Sequence, residues 1–250
     1  MVRHTGEMHP GDALDTDHRL RRVAADGRRL IDVSARDLAA PVPSCPGSTT
    51  TDLLAHVGRV WRSVTAHVAR ESTEMIPGTE IPEAPPGPAV VEFADEGLAQ
   101  LLDVLAAADP ATRVWTWAAR QDVGFYQRRM HQETLVHRVD AELALDDPTP
   151  VDTDDGADGV DELCEVMLAG RSGDALPGGS LHLHRTDGDG EWLLEVVDGV
   201  VGVRPEHTKG DAALRGTGDE LLLVMWGRRP LEGVECFGDA AVARAWVDLV

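Results

Sequence analysis

The hydrophobic periodicity of this chain changes near residue 145, and that change limits the folds it can adopt. Before it, apolar residues recur every three to four positions, as in the stripe from Leu54 to Val68, which is typical of amphipathic helices. After it, residues 180–184 alternate as a strand does, and residues 192–196 follow a turn at 187–190, which predicts a hairpin. We therefore predict an α+β two-domain protein, with a four-helix bundle over 1–150 and a smaller α+β domain over 156–250.

Turn and capping residues set the expected element boundaries. In the first domain we predict four helices, over 14–38, from the Ser/Thr/Asp run at 48–52 onward, over 91–108 and over 122–145. Prolines crowd the segment between the second and third helices, so residues 72–90 are predicted to be irregular. In the second domain we predict a hairpin over 180–196, a strand over 200–203, and helices over 218–227 and 239–250.

The join between the predicted domains is strongly acidic. Residues 146–161 contain seven Asp and no Lys or Arg, which predicts a solvent-exposed boundary. The run does not fit an EF-hand loop counted from Asp152, because Gly156 falls at the fifth position and Leu163 at the twelfth.

Charge and composition exclude several classes of partner. Against 23 Lys and Arg stand 44 Asp and Glu, giving a net charge of −21 that repels nucleic-acid phosphates and anionic membranes. No apolar run approaches the roughly 18 residues of a membrane-spanning helix, and residues 1–18 lack the apolar core of a signal peptide. We expect a cytoplasmic protein that binds neither nucleic acid nor membrane.

The predicted fourth helix contains the strongest candidates for metal-binding or catalytic residues. Glu133, His137 and Asp140 fall within about 60° of one another on a helical wheel. His56 would supply a third ligand from the second helix, where its position between Leu53 and Val60 predicts an inward side chain. His56, Glu133 and His137 would form a His₂Glu site with open positions, for which zinc is the default metal.

Asp140 would complete this site by orienting a ligand or holding a catalytic water. The alternative to a metal site is that these residues have a purely structural role. A Glu and a His four residues apart are often a surface pair, and an inward His is often a hydrogen-bonded core residue.

Four segments resemble one known family. PVPSCPGSTTTDLLAHVGRV (41–60) and RRMHQETLVHRVDAELAL (128–145) resemble the N-terminal domain of the mycothiol-dependent maleylpyruvate isomerase family, which belongs to the DinB-like metal-binding four-helix proteins of actinobacteria. LHLHRTDGDGEWLLEV (181–196) and LRGTGDELLLVMWGRRPLEGVECFGD (214–239) resemble the family's second domain, which is similar to sterol carrier protein type 2. One departure is Ser48, which stands where the family's turn often has Trp.

The resemblance implies a thiol-dependent enzyme whose site lies between its two domains. A divalent metal held at His56, Glu133 and His137 would activate the thiol of mycothiol for attack on a small-molecule electrophile. With maleylpyruvate, addition to the cis double bond, rotation and elimination would give fumarylpyruvate, whereas other members are thought to act as thiol S-transferases.

The candidate catalytic residues are then His56, Asp140 and Arg228. Arg228 and Arg229 would bind the thiol or a substrate carboxylate.

Two further readings stay open. The same fold would serve a non-catalytic metal- or thiol-binding module or a regulatory protein. For either function we expect a monomer or a homodimer. His182 and His184 share one face of the predicted hairpin and are able to chelate a metal, although paired strand histidines are usually exposed, which is what we predict here.

Overall fold

The first four helices of the computed structural model form one compact unit. The structure describes residues 14–173 and 175–250, and the helical unit spans Asp15–Thr149. Its helices are α1 (Thr16–Ser34), α2 (Thr50–Ala69), α3 (Ala89–Ala107) and α4 (Val123–Ala144). Because α1 packs mainly on α4 and α2 mainly on α3, this unit is the four-helix bundle that the sequence predicts.

Side-chain caps fix where α2 and α4 begin. The Asp52 carboxylate accepts a 2.8 Å hydrogen bond from the Thr49 amide, and the Thr49 hydroxyl accepts one from the Asp52 amide. Asp122 caps α4 by accepting from the Phe125 amide at 2.8 Å. Each such cap contributes about 1 kcal/mol to helix stability. The inward face of α2 then buries Leu54, Val57 and Trp61 completely.

The proline-rich connection between α2 and α3 is irregular, as predicted, apart from one 3₁₀ turn at Gly78–Glu80. Two buried side chains anchor it, Ile76 and Ile81. The Ile76 amide also donates to Nε2 of His67 at 3.0 Å, so the connection is fixed without regular structure.

The second compact unit begins at Pro150 and contains the sheet. Its helices are α5 (Thr153–Glu162), which continues into a π-helical turn at Leu163–Leu168, α6 (Gly218–Met225) and α7 (Ala240–Val247). Its strands are β1 (Leu181–Arg185), β2 (Glu191–Val197), β3 (Val200–Arg204), β4 (Ala212–Gly216) and β5 (Glu235–Gly238). The predicted hairpin, third strand and two C-terminal helices are confirmed, and the unit is α+β as expected.

The strand order β3-β2-β1-β4-β5 places β1 at the centre of the sheet. β1 pairs antiparallel with β2 and parallel with β4, and the other neighbours are antiparallel. Leu181 and Leu183 of β1 are fully buried together with Trp192 of β2 and Leu214 of β4. Side chains on the core face therefore alternate with His182 and His184 on the other face.

The acidic join does not behave as predicted, because residues 153–162 form α5 and Asp155, Asp158 and Asp161 are buried. Asp152 starts the helix by accepting from the amides of residues 154 and 155, and acidic residues in a first turn stabilise the helix dipole. A Cβ at Gly156 would lie 2.5 Å from the Asp219 amide nitrogen, so glycine permits close packing on the start of α6.

No helix among the described residues is long and apolar enough to cross a membrane. The expectation that residues 1–18 lack a signal-peptide core falls largely outside them, since the description begins at residue 14.

Candidate metal centre

Three side chains from α2 and α4 converge on one carboxylate oxygen. Nε2 of His56 lies 3.2 Å from Oε1 of Glu133, and Nε2 of His137 lies 3.3 Å from the same oxygen. The two imidazole rings are 4.9 Å apart between centroids and meet edge to face. Tetrahedral zinc ligands with bonds of about 2.0–2.1 Å have donor atoms about 3.3 Å apart, so this donor set fits a divalent metal.

The side of the cluster formed by His56 is open to solvent. The His56 side chain is 52% exposed, against 19% for Glu133 and 14% for His137. The prediction of an inward His56 is therefore wrong. The buried face of α2 is centred on Leu54 and Val57, and His56 lies at its edge, from which its ring reaches sideways to α4.

Asp140 orients the His137 ring. Its Oδ2 lies 2.8 Å from Nδ1 of His137, one turn earlier on α4, and its other oxygen accepts a hydrogen bond from the Ser44 hydroxyl. Asp140 is completely buried. Because this carboxylate holds a proton at Nδ1, a metal at the cluster would displace the proton of Nε2 and use that nitrogen as its ligand, which is how outer partners fix the tautomer of a ligating histidine.

Arg129 holds the second oxygen of Glu133. Its Nη2 donates to Oε2 at 3.1 Å, one helical turn before the carboxylate, which leaves Oε1 for the two histidines. Sequence reasoning missed Arg129 and Ser44. The four-residue spacing of Arg129 from Glu133 on one helix could have indicated that they pair. Ser44 lies in the turn before α2, where no sequence pattern indicates its contact with Asp140.

These contacts determine the charge state of the carboxylate. Burial raises the pKa of Glu133, but hydrogen bonds from His137 and His56 and the Arg129 charge outweigh it, so this pKa lies well below its usual value. Burial conversely lowers the pKa of His137, and the bonds to Asp140 and Glu133 overcome this and raise it to about 9. Glu133 is thus a full carboxylate, the form that binds metal.

Arg228 and Arg229 follow α6 in the second compact unit. Nη1 of Arg228 donates to the Trp226 carbonyl at 2.6 Å, and its guanidinium lies 5.8 Å from the centroid of the Trp226 ring. Arg229 is 43% exposed and lies 3.6 Å from Asp219. The structure thus brings His56, Glu133, His137 and Asp140 together, and it gives the two arginines contacts of their own within their unit.

The bundle with its His₂Glu cluster, followed by an α+β unit, defines a two-domain protein with a candidate metal centre. Residues 20–142 match the mycothiol maleylpyruvate isomerase N-terminal domain, and residues 154–245 match the MDMPI C-terminal domain. The chain therefore belongs to the mycothiol-dependent maleylpyruvate isomerase family and carries both of its domains.

Solved structures agree on the fold. A crystal structure of mycothiol-dependent maleylpyruvate isomerase matches with a TM-score of 0.58, and one of its histidine-to-alanine mutant matches with 0.63. Each is 14% identical, and each match covers 92% of this chain and 95% of the other. No curated protein matches this chain significantly.

Proposed function

We propose that this chain is a divalent-metal- and mycothiol-dependent enzyme, a maleylpyruvate isomerase-like cis–trans isomerase or a thiol S-transferase. The observation that carries the proposal is the cluster of His56, Glu133 and His137, whose three donor atoms lie within 4.8 Å of one another. Among the described residues no fourth His, Cys, Asp or Glu joins this group. Three protein ligands with further positions open are typical of catalytic rather than structural zinc sites.

The residues present suit a reaction with a thiol. When bound, the metal, with zinc as our first choice, would act as a Lewis acid that lowers the pKa of a coordinated thiol. His56, Glu133 and His137 would hold it, and the half-exposed His56 side supports access for a molecule of the size of mycothiol.

The surrounding residues would keep this geometry fixed. Asp140 would hold the His137 proton at Nδ1, and Arg129 would hold Oε2 of Glu133, so that neither ligand rotates away. We assign both as positioning residues, with Ser44 supporting Asp140.

Substrate binding is proposed for the second domain. A carboxylate substrate needs a cationic partner in a chain of net charge −21, and the planar guanidinium group binds carboxylates in a bidentate manner. We propose Arg228 as that partner, with Arg229 beside it, and assign metal binding to residues 1–150 and substrate binding to 156–250. The substrate would be a small electrophile, and the working location the cytoplasm.

The test combines metal content with turnover. We expect one bundle-site zinc per chain by elemental analysis, lost in His56→Ala but retained in the matched control His18→Ala, whose histidine lies in α1. Purified protein would then be assayed with mycothiol, maleylpyruvate and a panel of other electrophiles.

The outcomes separate two functions. Thiol-dependent isomerisation or thiol consumption that disappears with His56→Ala supports the enzyme. Metal binding without turnover on any substrate would assign the chain to the non-catalytic or regulatory alternative, and unchanged metal content in His56→Ala would overturn the site.

A further inference from the structure

A second group of metal-ligating side chains lies in the C-terminal unit. Its four members are His182 and His184 of β1, Glu191 at the start of β2, and His207 in the connection between β3 and β4. Each offers one donor atom, and all four donor atoms lie within 4.8 Å of one another. The prediction that both strand histidines are exposed is wrong: His182 is 7% exposed, and the side chain of His184 is only 29% exposed.

The sheet register explains why these side chains meet. His182 and His184 are two residues apart on one strand, so both point away from the face that buries Leu181 and Leu183. Glu191 is the direct cross-strand partner of His184. The convergence therefore follows from strand pairing in the centre of the sheet, which is a rigid base for a ligand set.

Glu191 is the hub of the cluster. Its Oε2 lies 2.5 Å from Nε2 of His182, and its Oε1 lies 2.6 Å from Nδ1 of His184 and 2.8 Å from Nδ1 of His207. The three imidazole rings surround it with centroid separations of 5.6–6.0 Å. One carboxylate thus faces three imidazoles, which places four nitrogen and oxygen donors around one point.

We propose that His182, His184, Glu191 and His207 form a second divalent transition-metal site, independent of the function proposed above. Three imidazoles and a carboxylate are the donors that zinc prefers, and four protein ligands complete a tetrahedral shell. Tetrahedral zinc donors lie about 3.3 Å apart, so the imidazole nitrogens, which lie 2.5, 2.6 and 2.8 Å from the Glu191 carboxylate, need to move about 0.5–0.8 Å away from it. His207 is free to move, because its side chain is 76% exposed and lies outside the strands. The larger shift from His182 and His184 would come from turning the Glu191 side chain, which is 25% exposed.

The ligand count implies a different role from that of the bundle. A closed four-ligand site holds its metal without an open position for a substrate, so the ion would tie the β3–β4 connection to the centre of the sheet. The class of ligand is a zinc-like ion, with Co²⁺ as its spectroscopic substitute.

A cycle of single and double variants tests this site on the full chain. We would load wild type, His56→Ala, His207→Ala and the double variant with Zn²⁺ by equilibrium dialysis and count bound zinc. Both histidines are exposed by more than half of their side chains, so neither substitution threatens the fold. We expect two, one, one and no tightly bound zinc ions, respectively, and His18→Ala should retain two.

A second measurement identifies the ligands. His56→Ala loaded with Co²⁺ should show the visible absorption of a four-coordinate ion, and adding His184→Gln or His207→Ala should weaken Co²⁺ affinity more than about 10-fold, since even partners outside the ligand shell contribute about 10- to 100-fold.

The two proposals fail differently. We call the His182, His184, Glu191 and His207 group the sheet site, and the His56, Glu133 and His137 group the bundle site. If zinc is lost with His56→Ala and unaffected by His207→Ala, the sheet site is overturned while the bundle site stands. If zinc is lost only with His207→Ala, the sheet site stands and the proposed function fails. Zinc in His56→Ala whose affinity does not respond to changes at His184 or His207 would also overturn the inference, and would leave a hydrogen-bonded network around Glu191.

Discussion

The bundle and the sheet each gather histidines around one glutamate, but they support that glutamate in opposite ways. Glu133 is held from behind by Arg129, and His137 by a fully buried Asp140, while three donors leave one side open. Glu191 instead contacts three histidines through both of its carboxylate oxygens, and one of the three, His207, is largely exposed. Outer support and ligand number, rather than the count of histidines, therefore distinguish the catalytic site proposed for the bundle from the closed metal site proposed for the sheet.

Neutralising the central glutamate of either cluster, Glu133 or Glu191, should have the largest effect on metal binding. Glu133→Gln and Glu191→Gln preserve shape and remove the charge, so each should weaken zinc binding at its own cluster by more than about 100-fold, as expected when a ligand rather than an outer partner is lost. Zinc titration monitored by competition with a chromogenic chelator measures both.

Of the two glutamates, only Glu133 should be required for thiol-dependent turnover. Glu133→Gln should abolish thiol-dependent turnover, and Glu92→Gln, on the exposed side of α3, serves as the control. Full turnover in Glu133→Gln would remove the bundle from the reaction.

Asp140→Asn examines outer support. An amide in place of the buried carboxylate no longer fixes the His137 proton at Nδ1, so zinc affinity of the bundle should fall about 10- to 100-fold while the sheet site is unchanged. Asp103→Asn, at an exposed position on α3, is the matched control. Equal losses at both sites would mean that Asp140 acts through the fold and not through His137.

The candidate metal centre of the bundle was largely predictable, because its residues follow local rules. Glu133 and His137 are four residues apart on a helix with a recognisable start at Asp122, and the residues around His56 identified its helix. Its exposure was not predictable, because the edge of a buried face depends on how α2 is rotated against α4.

The sheet site was only half predictable for a related reason. Alternation placed His182 and His184 on one face, but β4 and its parallel pairing with β1 were missed. Glu191 and His207 join the cluster through strand register and a loop path, which no periodicity encodes. The prediction for the acidic run at 146–161 was wrong for the same reason. Its composition indicated a solvent-exposed segment, whereas Gly156 allows α5 to pack against α6.

Asp187 tests how firmly the hairpin of the sheet site is anchored. It follows β1, accepts from Nε of Arg185 at 2.8 Å and from the Thr153 hydroxyl, and receives the Gly218 amide at 3.3 Å. Burial raises the pKa of Asp187, but the Thr153 and Arg185 bonds outweigh it and lower this pKa.

The sign of its pH dependence follows. The pKa of Asp187 is lower in the folded state than in the unfolded state, so its carboxylate stabilises the fold fully above the unfolded-state pKa of about 3.9. This stabilisation is lost as the pH falls through the folded-state pKa. Asp187→Asn should therefore lower the free energy of unfolding by about 1–2 kcal/mol at neutral pH, with a difference that shrinks below about pH 4. Urea denaturation at both pH values measures it, with Asp189→Asn in the same turn as the control.

Ser44→Ala is expected to have the smallest effect, and it decides whether the support of the bundle site reaches beyond α4. The Ser44 hydroxyl donates to Asp140, so its loss should weaken zinc binding about 5-fold, equivalent to about 1 kcal/mol for one hydrogen bond. Ser48→Ala is the matched control, because Ser48 lies in the same turn and makes its hydrogen bonds through its backbone amide and carbonyl. If Ser44 acts through Asp140, Ser44→Ala should have no further effect in an Asp140→Asn background, because residues in one network are not additive. Additive losses would instead mean that the turn before α2 influences the metal ligands by a separate route, and the outer support of the bundle would end at Asp140.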